Sequence, residues 1–195
     1  MIKFIVKGNK ARTAPDFLLK DLPGSGGRMD IMCRCLTSAL LVSHGIRRDV
    51  EVILCLSGPP SPPRCIRVVG DNVKYLSPDE RSTSILIRKA LAAYKEGEEV
   101  ESTPGIFVSE RSFRSILEEN RENLVLLDEE GDEYDIIPFE NPCFVIGDHL
   151  GFDDGEKEML KNAKIKMKVS PTILHASHCI VILHSIMDRS AIYGS

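Results

Sequence analysis

The sequence lacks the segments by which a chain crosses a membrane or is exported. No apolar stretch approaches the roughly 20 residues that span a bilayer. A secretory signal peptide is not predicted, because Lys3 and Lys7 interrupt the short apolar stretch at residues 2–6. We therefore expect a soluble, cytoplasmic protein without a membrane partner.

The common motifs of nucleotide-binding and hydrolytic enzymes are also missing. The sequence has no GxGxxG after a strand and no GxxxxGKS/T, which excludes the usual dinucleotide and nucleoside-triphosphate cradles. It has no GxSxG nucleophile elbow and no HExxH zinc motif. Residues 24–27 resemble a phosphate-binding loop, but no Lys-Ser/Thr pair follows, so we interpret them as a flexible loop.

The six cysteines lack the spacing of a disulfide-rich or zinc-binding domain. Most lie inside apolar segments, and Cys33 and Cys35 have a single residue between them, so they form no CxxC motif. Buried free thiols are the expected state, and no metal is expected. The alternative that we rank last is a small metal site built from Cys33, Cys35, His44 and Cys65.

The charges are unevenly distributed. The net charge is −4, but residues 1–100 hold 16 Lys and Arg against 11 Asp and Glu, a net of +5, and residues 101–195 hold 9 against 18, a net of −9. This asymmetry favours a basic working surface in the first half of the chain. An acidic half that is simply solvated accounts for the same numbers.

Strands alternate with helices along the chain. The length and the 43% of hydrophobic residues suit a single domain over residues 1–195. Strands are predicted at residues 1–7, 49–56, 105–108, 124–127, 143–146 and 164–169, with two short strands within 65–76 around a turn at 70–72. Helices are predicted from Asp30 to Ser43, from a capping Ser77 to about Lys95, after a capping Ser109, from Asp153 or Asp154 to about Asn162, and in the closing segment up to Ser190, where the composition also permits a strand. This alternation predicts an α/β fold with a mostly parallel sheet and helices on both faces.

Basic residues gather around the first predicted helix. The cluster comprises Arg28, Asp30, Arg34, His44, Arg47 and Arg48. Guanidinium groups in such a cluster can bind phosphates bidentately. A structural role explains the same residues, since Arg47 and Arg48 compensate the dipole at the helix end and Asp30 is a favourable carboxylate at the helix start.

A second cluster lies at residues 77–81. Ser77 and Glu80 have the spacing of a capping box, which needs no function. Arg81 is unusual, because a cation in the first turn of a helix opposes the helix dipole. A bound phosphate would offset that unfavourable interaction.

The third cluster is the turn at residues 146–152, which follows a buried strand. Open α/β sheets bind their ligands beyond the carboxyl ends of strands. Gly147 and Gly151 allow close approach of the backbone to a ligand, and Phe152 can pack on a ligand ring. His149 is either part of such a site or a turn residue without a ligand.

These clusters, in this order, resemble the archaeal tRNA pseudouridine-54 N1-methyltransferases of the SPOUT superfamily. The matching segments are GRMD (27–30), SHGIRRDV (43–50), PPRCIRVVG (62–70), SPDER (77–81), GDHLGF (147–152) and SHCIVILHSIMD (177–188). The resemblance covers nearly the whole chain. Relatives usually carry a Gly-Pro pair in the loop before the last helix, where this chain has Ser170 and Pro171.

The resemblance implies a six-stranded, largely parallel sheet whose C-terminal part is threaded as a deep trefoil knot, an exception to the rule against knots. It further implies a homodimer, with S-adenosylmethionine held in the knot largely by backbone groups and with Cys179 beginning the last helix. The implied cofactor-binding residues are Leu127 at a strand end, Gly147, Val169, Ser170, Pro171, Thr172, Ile173, Leu174 and Cys179.

The implied reaction is methylation of N1 of pseudouridine 54 in the T-loop of tRNA. Asp30 and Arg28 are the implied catalytic residues, with Asp30 as base or as orienting group. The implied RNA-binding residues are Arg34, His44, Arg47, Arg48 and Arg81. Two alternatives remain open, namely methylation of pseudouridine in ribosomal RNA and a non-catalytic knotted RNA-binding or assembly factor.

Overall fold

A computed structural model describes residues 1–193, and the side chains of residues 1–190. The helices are α1 (Met29–Leu40), α2 (Glu80–Ala93), α3 (Phe113–Glu119), α4 (Asp154–Leu160) and α5 (Ala176–Tyr193). The strands are β1 (Ile2–Gly8), β2 (Leu41–Val42), β3 (Gly45–Ile46), β4 (Val50–Leu56), β5 (Arg64–Val69), β6 (Val100–Thr103), β7 (Ile106–Ser109), β8 (Leu124–Glu133), β9 (Cys143–Gly147) and β10 (Ile165–Lys168). Over this described part of the chain, no helix is long and apolar enough to cross a membrane.

Eight strands form one sheet in the order β10-β8-β9-β1-β4-β5-β7-β6. The five strands from β10 to β4 pair in parallel, and β5, β7 and β6 continue the sheet in antiparallel fashion. The mostly parallel α/β fold is therefore confirmed. The six strands that the resemblance implies are too few, because β5, β7 and β6 extend the sheet at its antiparallel end. Among these three, β6 is short and half-exposed and is not predicted from the sequence.

Helices cover both faces of the sheet, as predicted. Alternate residues of β1 point to opposite faces, so that Phe4 and Val6 join one hydrophobic cluster and Ile5 joins the other. The first cluster contains the buried sides of α1, α2 and α5, and the second contains those of α3 and α4. α1 and α5 also pack directly against each other.

Local capping explains where several helices begin. Asp153 caps α4 with a capping box, since its carboxylate accepts from the Glu156 N–H and the Glu156 carboxylate accepts from the Asp153 N–H. For α2, Asp79 is the cap instead of the predicted Ser77, whose hydroxyl donates to the Asp79 carboxylate at 2.7 Å. For α3, Ser112 replaces the predicted Ser109. α5 begins at Ala176, one turn before the expected Cys179.

Two predicted elements end at other places than expected, and one predicted strand does not form. α1 stops at Leu40, because residues 41–46 form the small β2–β3 hairpin. Residues 73–76 form no strand after the turn that follows β5. β8 does not end at Leu127 but continues through the acidic segment to Glu133.

The cysteines lie where the apolar segments predict. All six are free thiols, and five are buried. Burial raises the pKa of Cys35 to about 12. Cys33 and Cys35 belong to one hydrophobic cluster and Cys65 to the cluster on the opposite face of the sheet, while His44 is exposed. The metal site considered from the sequence is therefore not assembled.

Candidate functional site

The carboxyl ends of five parallel strands share one edge of the sheet. Lys7, near the end of β1, lies opposite Gly147 at the end of β9. The next neighbour, β8, pairs with β9 only as far as Leu126, so Leu127 lies at this edge although its strand continues. β10 pairs with β8 on its other side and leads into residues 169–174. Gly147 and Leu127 thus lie at the edge where such sheets bind ligands, and residues 169–174 follow the strand next to β8.

The turn after β9 is fixed by the buried carboxylate of Asp148. This carboxylate accepts hydrogen bonds from the backbone N–H and the Nδ2 of Asn9, both at 2.7 Å, and from the Leu150 N–H at 2.9 Å. The Nδ2 of Asn9 also donates to the Gly151 carbonyl oxygen at 2.8 Å. The end of β1 therefore holds both ends of the turn at residues 148–151.

Gly147 lies where a side chain has almost no room. A Cβ at this position would lie 3.1 Å from the Gly151 Cα and 3.3 Å from the Phe152 Cζ. The Phe152 ring stacks on Phe113, with ring centroids 5.7 Å apart, and so belongs to the hydrophobic cluster. Phe152 thus packs on the protein and not on open space, and Gly147 is tight against the turn that follows it. His149 is exposed.

The loop at residues 170–174 leaves its backbone largely unpaired. The Thr172 N–H donates to the Ser170 Oγ at 3.1 Å, and no other backbone group of this loop makes a hydrogen bond within residues 1–193. Ile173, in the middle of this loop, is 75% exposed. Free backbone donors and acceptors beside an exposed apolar side chain suit a ligand that is both polar and aromatic.

A chain of charged side chains begins at the start of α1. The Nε and Nη2 of Arg28 donate to the two oxygens of Asp30, both at 3.0 Å, in a bidentate pair. Arg34 donates to the same carboxylate at 2.8 Å and, through its other nitrogen, to Glu80 of α2 at 3.0 Å. Asp30 is 4% exposed and both arginines are half-exposed. One buried carboxylate thus orients two guanidinium groups that reach solvent.

The arginines determine the ionisation of Asp30. Burial alone would raise the pKa of this carboxyl group, but the hydrogen bonds from Arg28 and Arg34 hold the pKa below its ordinary value. At neutral pH the group is therefore a carboxylate with both oxygens engaged. This state suits an orienting group better than a proton acceptor.

The backbone around Arg28 is constrained. Arg28 has a φ of 69° in the left-handed region, which L residues adopt at a cost of about 1–2 kcal/mol. Gly27 before it has a φ of 61°, and a Cβ there would lie 1.8 Å from the Lys10 carbonyl oxygen. The loop between β1 and α1 therefore fixes the direction in which Arg28 leaves the backbone.

The loop that carries Arg28 also approaches the turn after β9. The hydrogen bonds that Arg28 donates to Asp30 are the main cause that raises the pKa of Arg28. The loop before α1 approaches this turn, because Gly27 packs on the Lys10 carbonyl oxygen and the neighbouring Asn9 donates to the Asp148 carboxylate. The start of α1 therefore lies near the turn after β9.

The five predicted RNA-binding residues fall into two groups. Arg34 contacts Glu80, and the exposed Arg81 follows Glu80 in the first turn of α2, so both lie beside the charged chain. The other group, His44, Arg47 and Arg48, lies beyond the far end of α1, whose 12 residues span about 18 Å.

The far group is not uniformly available for phosphate. Arg47 forms a bidentate pair with Asp188 of α5 at 2.8 and 2.6 Å. Arg48 donates to the Asp71 carbonyl oxygen at 2.8 Å, but its side chain remains 73% exposed. His44 is exposed at the tip of the β2–β3 hairpin with a φ of 67°. Arg48 and His44 can reach a ligand, whereas Arg47 is engaged within the protein.

Sequence reasoning missed Asn9 and the role of Glu80. Asn9 directly follows a buried strand, a position that often carries functional side chains, but its partner Asp148 is 139 residues away. Glu80 has the position of a helix-capping residue, and its contact with Arg34 requires the packing of α1 on α2. Over residues 1–193, no group of three His, Cys, Asp or Glu side chains is placed to hold a metal ion.

Known proteins resemble this chain over almost its whole length. Residues 1–192 match the sequence profile of a family described as "Putative SAM-dependent RNA methyltransferase". The chain belongs to this family. A relative from Methanocaldococcus jannaschii is 44% identical over 202 residues, covering 98% of each chain. One from Methanosarcina mazei is 44% identical over 195 residues, covering 97% of this chain and 92% of that relative. Both bear the name tRNA (pseudouridine(54)-N(1))-methyltransferase.

A solved structure has the same fold as this member of the family. The crystal structure of Archaeoglobus fulgidus Nep1 bound to S-adenosylhomocysteine superposes with a TM-score of 0.69, covering 98% of this chain and 99% of that one. The two sequences are 14% identical, so the likeness concerns the fold. It confirms the predicted SPOUT-like architecture.

The carboxyl edge of the sheet fits the cofactor of this family of SAM-dependent methyltransferases. The unpaired backbone of residues 170–174 can exchange hydrogen bonds with an adenine ring, and Ile173 can pack on it. Ser170 does not prevent this arrangement, because the free groups belong to the backbone. Cys179 is half-buried one turn into α5, and its partial burial raises its pKa.

Proposed function

We propose that this chain transfers the methyl group of S-adenosylmethionine to N1 of pseudouridine 54 in tRNA. Membership of the methyltransferase family and two relatives of that name, each 44% identical, support the reaction and the substrate. The observation that carries the proposal is the position of Arg28. Its guanidinium group is held by Asp30 at the start of α1, and the preceding Gly27 packs on Lys10, next to the Asn9 that binds Asp148 in the turn after β9.

The proposed cofactor-binding residues are those that lie at the carboxyl edge. Residues 170–174 and the backbone at Gly147 would hold S-adenosylmethionine, with Leu127 and Cys179 at the borders of the site. The chemistry that the cofactor supplies is a methyl group already activated by a sulfonium. The protein therefore has mainly to align the sulfur, the methyl group and the acceptor nitrogen.

The charged chain at α1 would position the nucleoside. Asp30 orients Arg28 and Arg34 toward solvent, where they can bind phosphate and hold the target base out of its loop. The N1 of pseudouridine carries a hydrogen, which must leave as the methyl group arrives. Because Asp30 is engaged by both arginines and its pKa is lowered, we assign this proton to water and Asp30 to the orienting role.

Arg81, Arg48 and His44 would contact the RNA on either side of this centre. All three are exposed, and the two ends of α1 separate them by a distance that an RNA stem-loop can span. Arg47 is assigned to its pair with Asp188 instead. A contact made by these residues should weaken as salt rises, because phosphate binding releases counterions.

We also propose the quaternary state and threading that the family resemblance implies. A homodimer would cover the groove between the β2–β3 hairpin and α5, where Val42 and Val181 are exposed. His184 in this groove is buried, and within residues 1–193 its Nδ1 has no hydrogen-bond partner. Light scattering tests the dimer. We further propose that the chain forms a trefoil knot around residues 170–174. We also propose that the protein acts in the cytoplasm, on tRNA as its substrate.

Transfer of labelled methyl to two tRNA transcripts tests the function. One transcript carries uridine at position 54 and the other pseudouridine, and we expect label only on the second. Label on a ribosomal RNA fragment containing pseudouridine, and on neither tRNA, would indicate the ribosomal branch of the chemistry. Absence of cofactor binding would indicate a non-catalytic RNA-binding factor.

A further inference from the structure

A buried ion pair lies under the candidate cofactor turn and has no part in the proposed chemistry. Lys7 is 4% exposed and Glu156 is 5% exposed, and the Lys7 Nζ contacts the Glu156 Oε2. Lys7 belongs to the end of β1 and Glu156 to the first turn of α4. The pair therefore connects the sheet to the helix that follows the turn.

Stability alone is a weak reason for such a pair. Removing two charges from water is unfavourable, and replacing a buried ion pair by uncharged residues of similar volume is often neutral or stabilising. The Lys7 ammonium lies 5.5 Å from the centre of the Phe113 ring, on the hydrophobic face that Phe113 and Phe152 form by stacking. Apolar residues would fit these surroundings without desolvating a charge.

The same two residues fix both ends of the turn. The Lys7 carbonyl oxygen accepts from the Asp148 N–H at 3.1 Å, and Lys7 lies opposite Gly147 in the sheet. At the other end, the Glu156 Oε2 accepts from the Asp153 N–H at 2.8 Å, directly after the turn. The lysine side chain joins these two anchors under the turn. The ion pair therefore adds a side-chain tie between the end of β1, beside β9, and the start of α4.

We infer that Lys7 and Glu156 are positioning residues for S-adenosylmethionine, because their ion pair holds the backbone of residues 147–152 in the conformation that binds the cofactor. This inference rests on the proposed function, since it takes this turn as part of the cofactor site. It assigns to the pair an effect on cofactor affinity that is separate from its effect on folding.

The test compares a double variant with a matched control by calorimetric titration with S-adenosylhomocysteine. Lys7→Met/Glu156→Gln removes both charges together and keeps an amide oxygen that can accept from the Asp153 N–H. The control, Arg67→Met/Glu99→Gln, removes an ion pair of 2.6 Å from the antiparallel half of the sheet, together with the 3.4 Å contact of Arg67 with Glu51. Melting temperatures are measured for all three proteins.

We expect the double variant to melt near the wild-type temperature. Its affinity for S-adenosylhomocysteine should fall on the order of tenfold. This loss is smaller than the roughly 100-fold loss of rate that a displacement of about 1 Å can cause. The KM for S-adenosylmethionine should rise with little change in kcat, and the control should keep the wild-type Kd. Wild-type affinity in the double variant would overturn the inference. Failure of the wild-type protein to bind would instead count against the proposed function.

If the double variant does not fold, Glu156→Asp takes its place. This variant keeps both charges and shortens one arm of the pair by a methylene group. Weaker binding of S-adenosylhomocysteine at an unchanged melting temperature supports the positioning role, and an unchanged Kd overturns it.

Discussion

Replacing Asp30 by Asn is the sharpest perturbation of the charged chain at α1. The carboxylate accepts three hydrogen bonds, two from Arg28 at 3.0 Å and one from Arg34 at 2.8 Å. An amide of the same shape offers one oxygen and no charge, so at least one of the three hydrogen bonds is lost and neither arginine keeps a charged partner at this position. If Asp30 orients these groups, the substitution should impair methyl transfer more than it impairs folding.

The expected loss of stability follows from the burial of the three groups. Asp30 is buried, but the side chains of Arg28 and Arg34 are 36% and 35% exposed and can regain water. We therefore expect a loss of about 2 kcal/mol in the free energy of unfolding, below the 3–5 kcal/mol of a fully buried pair. For a chain of this length that corresponds to a fall in melting temperature of roughly 4–8 °C.

The pH dependence separates an orienting group from a base. Folding lowers the pKa of Asp30, so its contribution to stability is complete above the ordinary carboxyl pKa of about 3.9 and is lost as the pH falls through the lower folded-state value. The stability difference between wild type and Asp30→Asn should thus be constant at neutral pH and disappear in acid. Urea unfolding at a series of pH values measures it.

Methyl transfer should give a matching profile. We expect Asp30→Asn to lower kcat/KM by on the order of 100-fold, as for a lost orienting interaction, without changing the shape of its pH dependence. Two results would refute this reasoning. One is full turnover by Asp30→Asn, and the other is a wild-type ionisation between about pH 5 and 7 that the substitution abolishes, which would identify Asp30 as the base.

Three further predictions concern the RNA surface, the loop before α1 and the buried thiols. Arg81→Ala should weaken tRNA binding and reduce by about 1 the slope of the logarithm of the binding constant against the logarithm of salt concentration. The control Arg121→Ala, at the opposite edge of the sheet, should leave this slope unchanged. Equal slopes for Arg81→Ala and the wild type would show that Arg81 does not contact the RNA. Gly97→Ala should destabilise the protein by roughly 1–2 kcal/mol, because its φ is positive. Gly27→Ala should cost clearly more, because its φ is also positive and the new Cβ would lie 1.8 Å from the Lys10 carbonyl oxygen. Urea unfolding of the two variants compares these losses. Cys35, whose pKa burial raises to about 12, should resist iodoacetamide in the native protein and react in denaturant, and rapid native alkylation would show that its pocket opens.

The parallel half of the fold is predictable because its signals are local. β1, β4 and β9 are short apolar runs, and each must be covered on both faces, which the intervening helices do. The start of α4 is predictable for the same reason, since Asp153 and Glu156 form their capping box within four residues. Strands whose residues have a low strand propensity are not predictable in this way. The acidic end of β8 becomes a strand because β10 pairs with it, Met167 opposite Asp132 and Lys168 opposite Glu133, and these segments are far apart in sequence.

Some contacts of the candidate site can likewise be predicted from local sequence, and others depend on how distant segments pack. Asp30 and Arg34 are one helical turn apart, so their pairing can be expected from spacing. The bidentate contact of Arg28 is made from a left-handed backbone conformation. Arginine rarely adopts this conformation, so the sequence does not predict the contact. The contact of Asn9 with Asp148 depends on the neighbouring positions of β1 and β9 in the sheet. The engagement of Arg47 by Asp188 likewise depends on where α5 packs.

Mapping the product by mass spectrometry tests the proposed function most directly. A tRNA with pseudouridine at position 54 is incubated with the protein and S-adenosylmethionine and then digested to oligonucleotides and nucleosides. We predict a mass increase of one methyl group on the T-loop fragment alone and a nucleoside that coelutes with N1-methylpseudouridine. A methyl group on another nucleotide or another atom of pseudouridine 54, or no methyl group while S-adenosylhomocysteine binds, would contradict the proposed reaction.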